Sequence, residues 1–165
     1  RTLDLSRSRL DSFSILAAGL EENVYLQTLK LRSLGLGDQH VGQVLAALRH
    51  HPSLISLDLS FNHCTESNHI ARFLEGQRNV RELYLGYQNV WQSPKFDIGG
   101  LAQDLGTNST LTVLSLSRNK LNDDDAILLA DALRCNSTLE HLDVKENKIG
   151  DAGACALANT AELPG

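Results

Sequence analysis

Cysteine is scarce in this chain. There are three in 165 residues, at Cys64, Cys135 and Cys155, and no Cys-x-x-Cys pair occurs. That is too few, and too irregularly spaced, for a disulfide framework or a cysteine-built zinc site. A reducing compartment is the expected setting. Long apolar runs are missing as well. Nothing approaches the roughly 20 residues that a membrane-spanning helix needs, so no membrane insertion is expected. Positive charge is in short supply, with 15 basic against 20 acidic residues and a formal charge of −5. A general nucleic-acid binder normally shows a basic stripe, so no nucleic acid is expected as a partner. There is no phosphate-cradling glycine loop, no Gly-x-Ser-x-Gly elbow, and no Cys/His pair that falls on one face. Those absences remove the common nucleotide-binding and nucleophilic chemistries, so no enzyme activity and no cofactor are expected. Arg1 stands inside a motif with no signal peptide or initiator methionine ahead of it, which reads as a piece of a longer chain or complex.

Leucine, by contrast, recurs on a fixed spacing. The clearest copy is Leu111-x-x-Leu114-x-Leu116-x-x-Asn119-x-Leu121, and others begin at Leu26, Leu54, Val80 and Leu139. A sixth is cut by the start of the chain, leaving Leu3, Leu5, Ser8 and Leu10. The alternating Leu-x-Leu core has the period of two that belongs to strands. The remainder of each copy is helical. Val41, Val44, Leu45 and Leu48 form an i, i+3, i+4, i+7 stripe, and Ala126, Leu129, Ala130 and Leu133 form another. Asp38, Asp123 and Asp151 stand where helices begin and are expected to cap free N–H groups. Asn23, Asn108 and Asn136 stand three residues before the next copy, where asparagine suits a left-handed helix end.

Each period is therefore strand, turn, helix, turn. Strands about 4.8 Å apart and helices roughly 10 Å across cannot stack without bending, so the strands line the inside of a curve. Asn62, Asn119 and Asn147 offer an amide to the unpaired backbone of the turn after each strand. Ser8 and Gln88 are imperfect substitutes. Leu34 cannot act in this way, and local irregularity is expected there. The terminal copies, stacked on one side only, are expected to be weakest.

This pattern resembles the leucine-rich repeat family, in its ribonuclease-inhibitor-like subclass. The resemblance rests on the strand motif, the period near 28, and the stretches Leu133-Arg-Cys-Asn-Ser-Thr-Leu139 and Asn147-Lys-Ile-Gly-Asp-Ala-Gly153. It implies an α/β horseshoe segment, a right-handed βα solenoid with a parallel inner sheet and outer helices. On this reading residues 1–165 form a single array of about six repeats, near 1–25, 26–53, 54–79, 80–110, 111–138 and 139–165. It also implies a cytoplasmic or nuclear, non-catalytic scaffold that binds a protein partner on the strand face and loop rim. Two alternatives follow from the same resemblance: a GTPase-activating regulator of a small GTPase, with Arg7 or Arg118 placing charge at the phosphates, or a structural subunit of a large complex.

The outward strand positions fall in three columns. The first holds Asp4, Lys30, Asp58, Tyr84, Ser115 and Asp143; the second Ser6, Arg32, Ser60, Gly86, Ser117 and Lys145; the third, at the strand exit, Arg7, Ser33, Phe61, Tyr87, Arg118 and Glu146. Only 5% of residues are aromatic, yet Phe61, Tyr84 and Tyr87 come from adjacent copies and Trp91 follows in the loop beyond. Arg32 and Arg118 flank them. Aromatic and arginine side chains are the usual anchors of interfaces. The candidate protein-binding residues are thus Lys30, Arg32, Phe61, Tyr84, Tyr87, Trp91 and Arg118. The copy that starts at Val80 is longer than its neighbours, with the excess around residues 90–96, and loops of this kind often carry function.

Other groups invite chemistry and are set aside. His50 and His51 read as cationic residues suited to a helix C-terminus. Cys64, between His63 and His69, holds a core position with its sulfur expected inward, so no metal site is expected. Asp123, Asp124 and Asp125 read as charge at a helix start. Asn108-Ser-Thr110 and Asn136-Ser-Thr138 match a glycosylation acceptor but recur at the same structural turn.

Overall fold

A computed structural model describes residues 1–88 and 94–160. Six three-residue strands alternate with six helices. They are β1 (Thr2–Asp4), α1 (Phe13–Glu21), β2 (Thr28–Lys30), α2 (Asp38–Leu48), β3 (Ser56–Asp58), α3 (Asn68–Gly76), β4 (Glu82–Tyr84), α4 (Gly99–Leu105), β5 (Val113–Ser115) and α5 (Asp123–Leu133), followed by β6 (His141–Asp143) and α6 (Asp151–Ala158). The strands pair in chain order as one parallel sheet. Equivalent residues face each other throughout: Leu3, Leu29, Leu57, Leu83, Leu114 and Leu142 form one row across it. This is an α/β solenoid. None of its helices is long and apolar enough to cross a membrane, among the described residues.

The leucine motif fills the space between sheet and helices. Leu29, Leu57, Leu83 and Leu114 are fully buried, as are Val41, Val44, Ile70, Leu101 and Leu129 from the helices. Full burial of such a side chain contributes about 1.5–3 kcal/mol. At the ends the same positions are only partly covered: Leu3 and Leu5 in the first repeat, Leu139, Leu142 and Val144 in the last. That asymmetry is what one-sided stacking predicts.

The asparagine positions behave as a ladder. Nδ2 of Asn62 donates to the carbonyls of Leu31 (2.8 Å) and Leu59 (2.7 Å), and its Oδ1 accepts from the N–H groups of Leu34 and Leu36. Asn119 and Asn147 make equivalent bonds in the later repeats. Gln88 manages part of it, donating to Leu59 O and accepting from Cys64 N. At Leu34 the ladder lacks its amide, while the register of β2 just before it, over Thr28–Lys30, is regular. The side chain packs against the core, and the Leu5 carbonyl accepts from Ser8 N instead.

Three readings are corrected. Asp38, Asp123 and Asp151 do not cap their own helices, whose N-caps are Gly37, Asn122 and Gly150. Asp38 accepts from the N–H groups of Thr65 and Glu66 and from the Thr65 hydroxyl, while Asp123 accepts from the N–H groups of Gly150 and Gly153. Each of these two carboxylates thus ties the start of one helix to the turn of the next repeat. The true cap at α5 is a reciprocal pair, with Asn122 accepting from Asp125 N and Asp125 accepting from Asn122 N. Asn23, Asn108 and Asn136 are not left-handed. Their Oδ1 atoms accept from the N–H groups two and three residues on, closing the turn into the following strand with a side-chain bond. His51 is not a cation at a helix end. It is buried, burial pushes its pKa down, and Nδ1 accepts from Ser53 N. Cys64 does point inward; burial, with Asp38 beside it, raises its thiol pKa far above the ordinary range.

Candidate functional site

Among the described residues, six of the seven non-glycine residues with positive φ form the third column: Arg7, Ser33, Phe61, Tyr87, Arg118 and Glu146, with φ between 53° and 62°. The spacing of leucines carries no trace of this. A left-handed residue costs about 1–2 kcal/mol when it has a Cβ. The cost is met locally, because the N–H of each of the first five donates to a carbonyl of the next repeat, as in Phe61 to Gly86 (2.9 Å) and Tyr87 to Ser117 (2.7 Å). The conformation turns the chain away from the strand and sets these side chains along the sheet's exit rim.

Because the repeats are in register, the rim side chains stack. The rings of Phe61 and Tyr87 lie 4.9 Å apart at 34°. The Arg32 guanidinium lies 5.0 Å from the Phe61 centroid, and that of Arg118 lies 5.8 Å from the Tyr87 centroid. The order is cation, ring, ring, cation, within the range where such contacts are attractive. Each arginine also has a carboxylate partner. Arg32 reaches Asp58 at 3.4 Å and Arg118 reaches Glu146 at 2.7 Å. Hydrogen bonding to Glu146 raises the Arg118 pKa further, so its charge is permanent.

Next to this row the second column is small: Ser60, Gly86 and Ser117. Tyr84 stands on the other side, half-buried, its hydroxyl 3.4 Å from Glu82 Oε2. Burial and then the charge of Glu82 raise the Tyr84 pKa, so the phenol stays neutral. Between the two walls lies a hollow of about 290 Å³. A Cβ at Gly86 would come within 2.8 Å of Ser117 Oγ, so the bare backbone there helps keep the floor open. Asp58 and Asp143 close one side, each accepting an N–H two residues on (Ser60 and Lys145), and Asp143 also accepts from the Ser115 hydroxyl at 3.1 Å.

Of the residues singled out in the sequence, Arg32, Phe61, Tyr84, Tyr87 and Arg118 all line this hollow. Lys30 sits on the same face, paired in register with Asp58, but is not part of the lining. Trp91 lies outside the described residues. The far end of the long loop is anchored. Lys95 Nζ holds both oxygens of buried Asp125 at 2.7 and 2.8 Å, and Phe96 is fully buried. Sequence reasoning passed over Ser60, Gly86, Ser117 and Lys145 as unremarkable solvent-facing positions. Their contribution is smallness or position, and the column register alone could have pointed to it.

Residues 107–130 and 135–158 match the family model for the leucine rich repeat. No curated protein matches the chain in sequence. Among solved structures it is similar to the actin-binding site 2 of leiomodin-1, with 16% identity, a TM-score of 0.52, and coverage of 96% of this chain and 77% of that one. It is also similar to the C-terminal domain of tropomodulin from Caenorhabditis elegans, at 11% identity and a TM-score of 0.55, covering 98% and 82%. At these identities the likeness speaks for the fold. Two leucine-rich repeats are matched directly and the other described copies share their strand–helix geometry, so the chain has a leucine-rich-repeat fold, compatible with the ribonuclease-inhibitor-like subclass.

Proposed function

We propose that this chain is a non-catalytic protein-binding module that holds its partner on the strand face, at the hollow between Tyr84 and the Phe61–Tyr87 row. The observation that carries the reading is the stacked order Arg32, Phe61, Tyr87, Arg118. The rings are rigid, partly exposed and already in place, so little side-chain entropy is lost when a partner covers them. Interfaces draw most of their energy from such anchors. Leiomodin-1 carries an actin-binding site on a fold of this kind, which supports a protein as the class of partner. Residues 1–165 are taken as one array, and an intracellular setting, cytoplasmic or nuclear, fits the scarcity of cysteine.

The hollow is small for tight binding by itself. A standard interface takes about 800 Å² from each partner, so the rim and the loop after β4 are expected to add contacts. The GTPase-regulating alternative would draw on Arg7 or Arg118. Arg118 is engaged by Glu146 and Tyr87, and no observation favours that reading.

The test is recovery of bound protein by the wild-type chain and by Tyr84→Ala/Tyr87→Ala, with purified actin included as one bait. Loss of recovery in a variant that keeps its circular dichroism is expected. Equal recovery would remove the strand face as the site.

A further inference from the structure

We propose that the exit corner of β5 and β6 is a docking surface for an acidic polypeptide segment, which seats one apolar side chain in the adjoining hollow. This rests on the strand face being the binding surface. A second recess, of about 380 Å³, is lined by Tyr87, Arg118, Lys120, Glu146 and Lys148. It shares Tyr87, Arg118 and Glu146 with the hollow, so the two are continuous, and Lys145 lines the hollow on the same side. Four cations, Arg118, Lys120, Lys145 and Lys148, therefore line this corner against two carboxylates, Glu146, paired with Arg118 at 2.7 Å, and Asp143, which accepts from the Ser115 hydroxyl and Lys145 N. Such a local excess is out of character for a chain of net charge −5. Lys145 and Lys148 are exposed.

Charge complementarity of this kind sets partner choice and association rate. The carboxylates on the hollow's far side are already committed inward, Asp143 to Ser115 and Lys145 N, Asp58 to Ser60 N and Arg32. They would still repel a continuous polyphosphate backbone laid across the face. A peptide avoids this by keeping its carboxylates at one end and an aromatic or aliphatic side chain at the other. That match selects an acidic peptide over RNA.

The experiment is titration of the isotope-labelled chain, followed by amide NMR shifts, with four probes. They are a short Glu/Asp-rich peptide around one tyrosine, the same peptide with lysine replacing each acid, an uncharged Ser/Gly version, and a short oligouridylate. The acidic peptide is expected to shift Gly86, Arg118, Lys145 and Lys148 amides saturably. Exposed charge pairs contribute about 0.2–1 kcal/mol each, so Lys145→Glu/Lys148→Glu should weaken it about tenfold. Raised salt should weaken it too. Equal binding of the acidic peptide by wild type and by the charge-reversed variant, or binding of the uncharged peptide to wild type as tight as that of the acidic one, would overturn the acidic assignment while leaving the strand face as the site. Tighter binding of the oligouridylate, or no shift with any peptide, would also overturn it, and the capture test on Tyr84 and Tyr87 would then judge the proposed function separately.

Discussion

Replacing Asn62 by alanine tests what holds the turns of this solenoid in place. The side chain is fully buried and makes four short hydrogen bonds, to Leu31 O, Leu59 O, Leu34 N and Leu36 N. A net contribution of about 1 kcal/mol per bond sets a first figure of about 4 kcal/mol. Leu36 N is buried and would be left without a partner, which adds to the cost, since an orphaned buried N–H costs about 1–3 kcal/mol. Leu34 N is only partly covered, and water can replace the lost acceptor there. The two corrections oppose each other, so about 4 kcal/mol stands. With a urea slope of about 2 kcal/mol per molar, the midpoint should fall by about 2 M. The assay is urea unfolding followed by both far-ultraviolet circular dichroism and tyrosine fluorescence, whose coincidence checks that the array still melts as one unit. Hydrogen exchange at Leu34 and Leu36 should accelerate more than exchange in α5, because the opening is local to the second and third repeats. A loss under about 1 kcal/mol with coincident transitions would refute the reasoning, as the turns would then be held by leucine packing alone.

Four further outcomes are expected. His51 has a lowered pKa, so the folded state favours its neutral form; that contribution is whole above pH 6.5 and is lost as pH falls below it, and His51→Gln should flatten the thermal midpoint between pH 7 and 5. Asp38 is also lowered despite burial, through its bonds from Thr65 and Glu66, so its stabilisation is present above about pH 3.8 and fails in stronger acid; Asp38→Asn should remove that acid step. A thiol reagent should modify Cys135 and Cys155 in the native chain, and reach buried Cys64 only on unfolding; modification of all three at one rate would contradict the packing. Asp125→Ala removes the carboxylate half of the α5 capping pair and the anchor of Lys95 while Asn122 still caps the helix, and should cost about 1 kcal/mol in chemical denaturation, most of it from the Asn122 N–H because Lys95 can return to water.

The sheet order and register follow directly from the leucine spacing, because a one-residue slip would turn every leucine row to water. The hollow was partly legible for the same reason: rows that align leucines inside also align Phe61, Tyr84 and Tyr87 outside. The aspartates at the helix starts were misread. A carboxylate beside a helix N-terminus is ordinarily a cap, and only the stacking of a neighbouring turn makes Thr65 or Gly150 a better donor for it. His51 was misread because nothing local distinguishes a buried histidine from a solvated one at a helix end. The left-handed column left no signature at all. Serine, phenylalanine, tyrosine, arginine and glutamate share no backbone preference for that region, and what holds them there is a carbonyl one repeat away.

That column explains why the aromatic row lies where it does. Neighbouring strands of a sheet sit about 4.8 Å apart, which is also a favourable distance between stacked rings. Any two aromatic side chains at equivalent exit positions of adjacent repeats are brought to that separation by the backbone alone, and Phe61 and Tyr87 meet at 4.9 Å. Arginines one repeat further out, at either end, then cover the outer faces. Arg118 does so from the third column itself, while Arg32 reaches Phe61 from the second. The leucine register thus sets the aromatic row in place from behind the sheet. It follows that the row can be broken by moving one ring along the array. Phe61→Ser with Ser33→Phe should place the new ring beside the Arg7 rim position and separate it from Tyr87 by two strand spacings, leaving stability nearly unchanged and abolishing the stack. If partner recovery survived that exchange, the paired rings would not be the anchor.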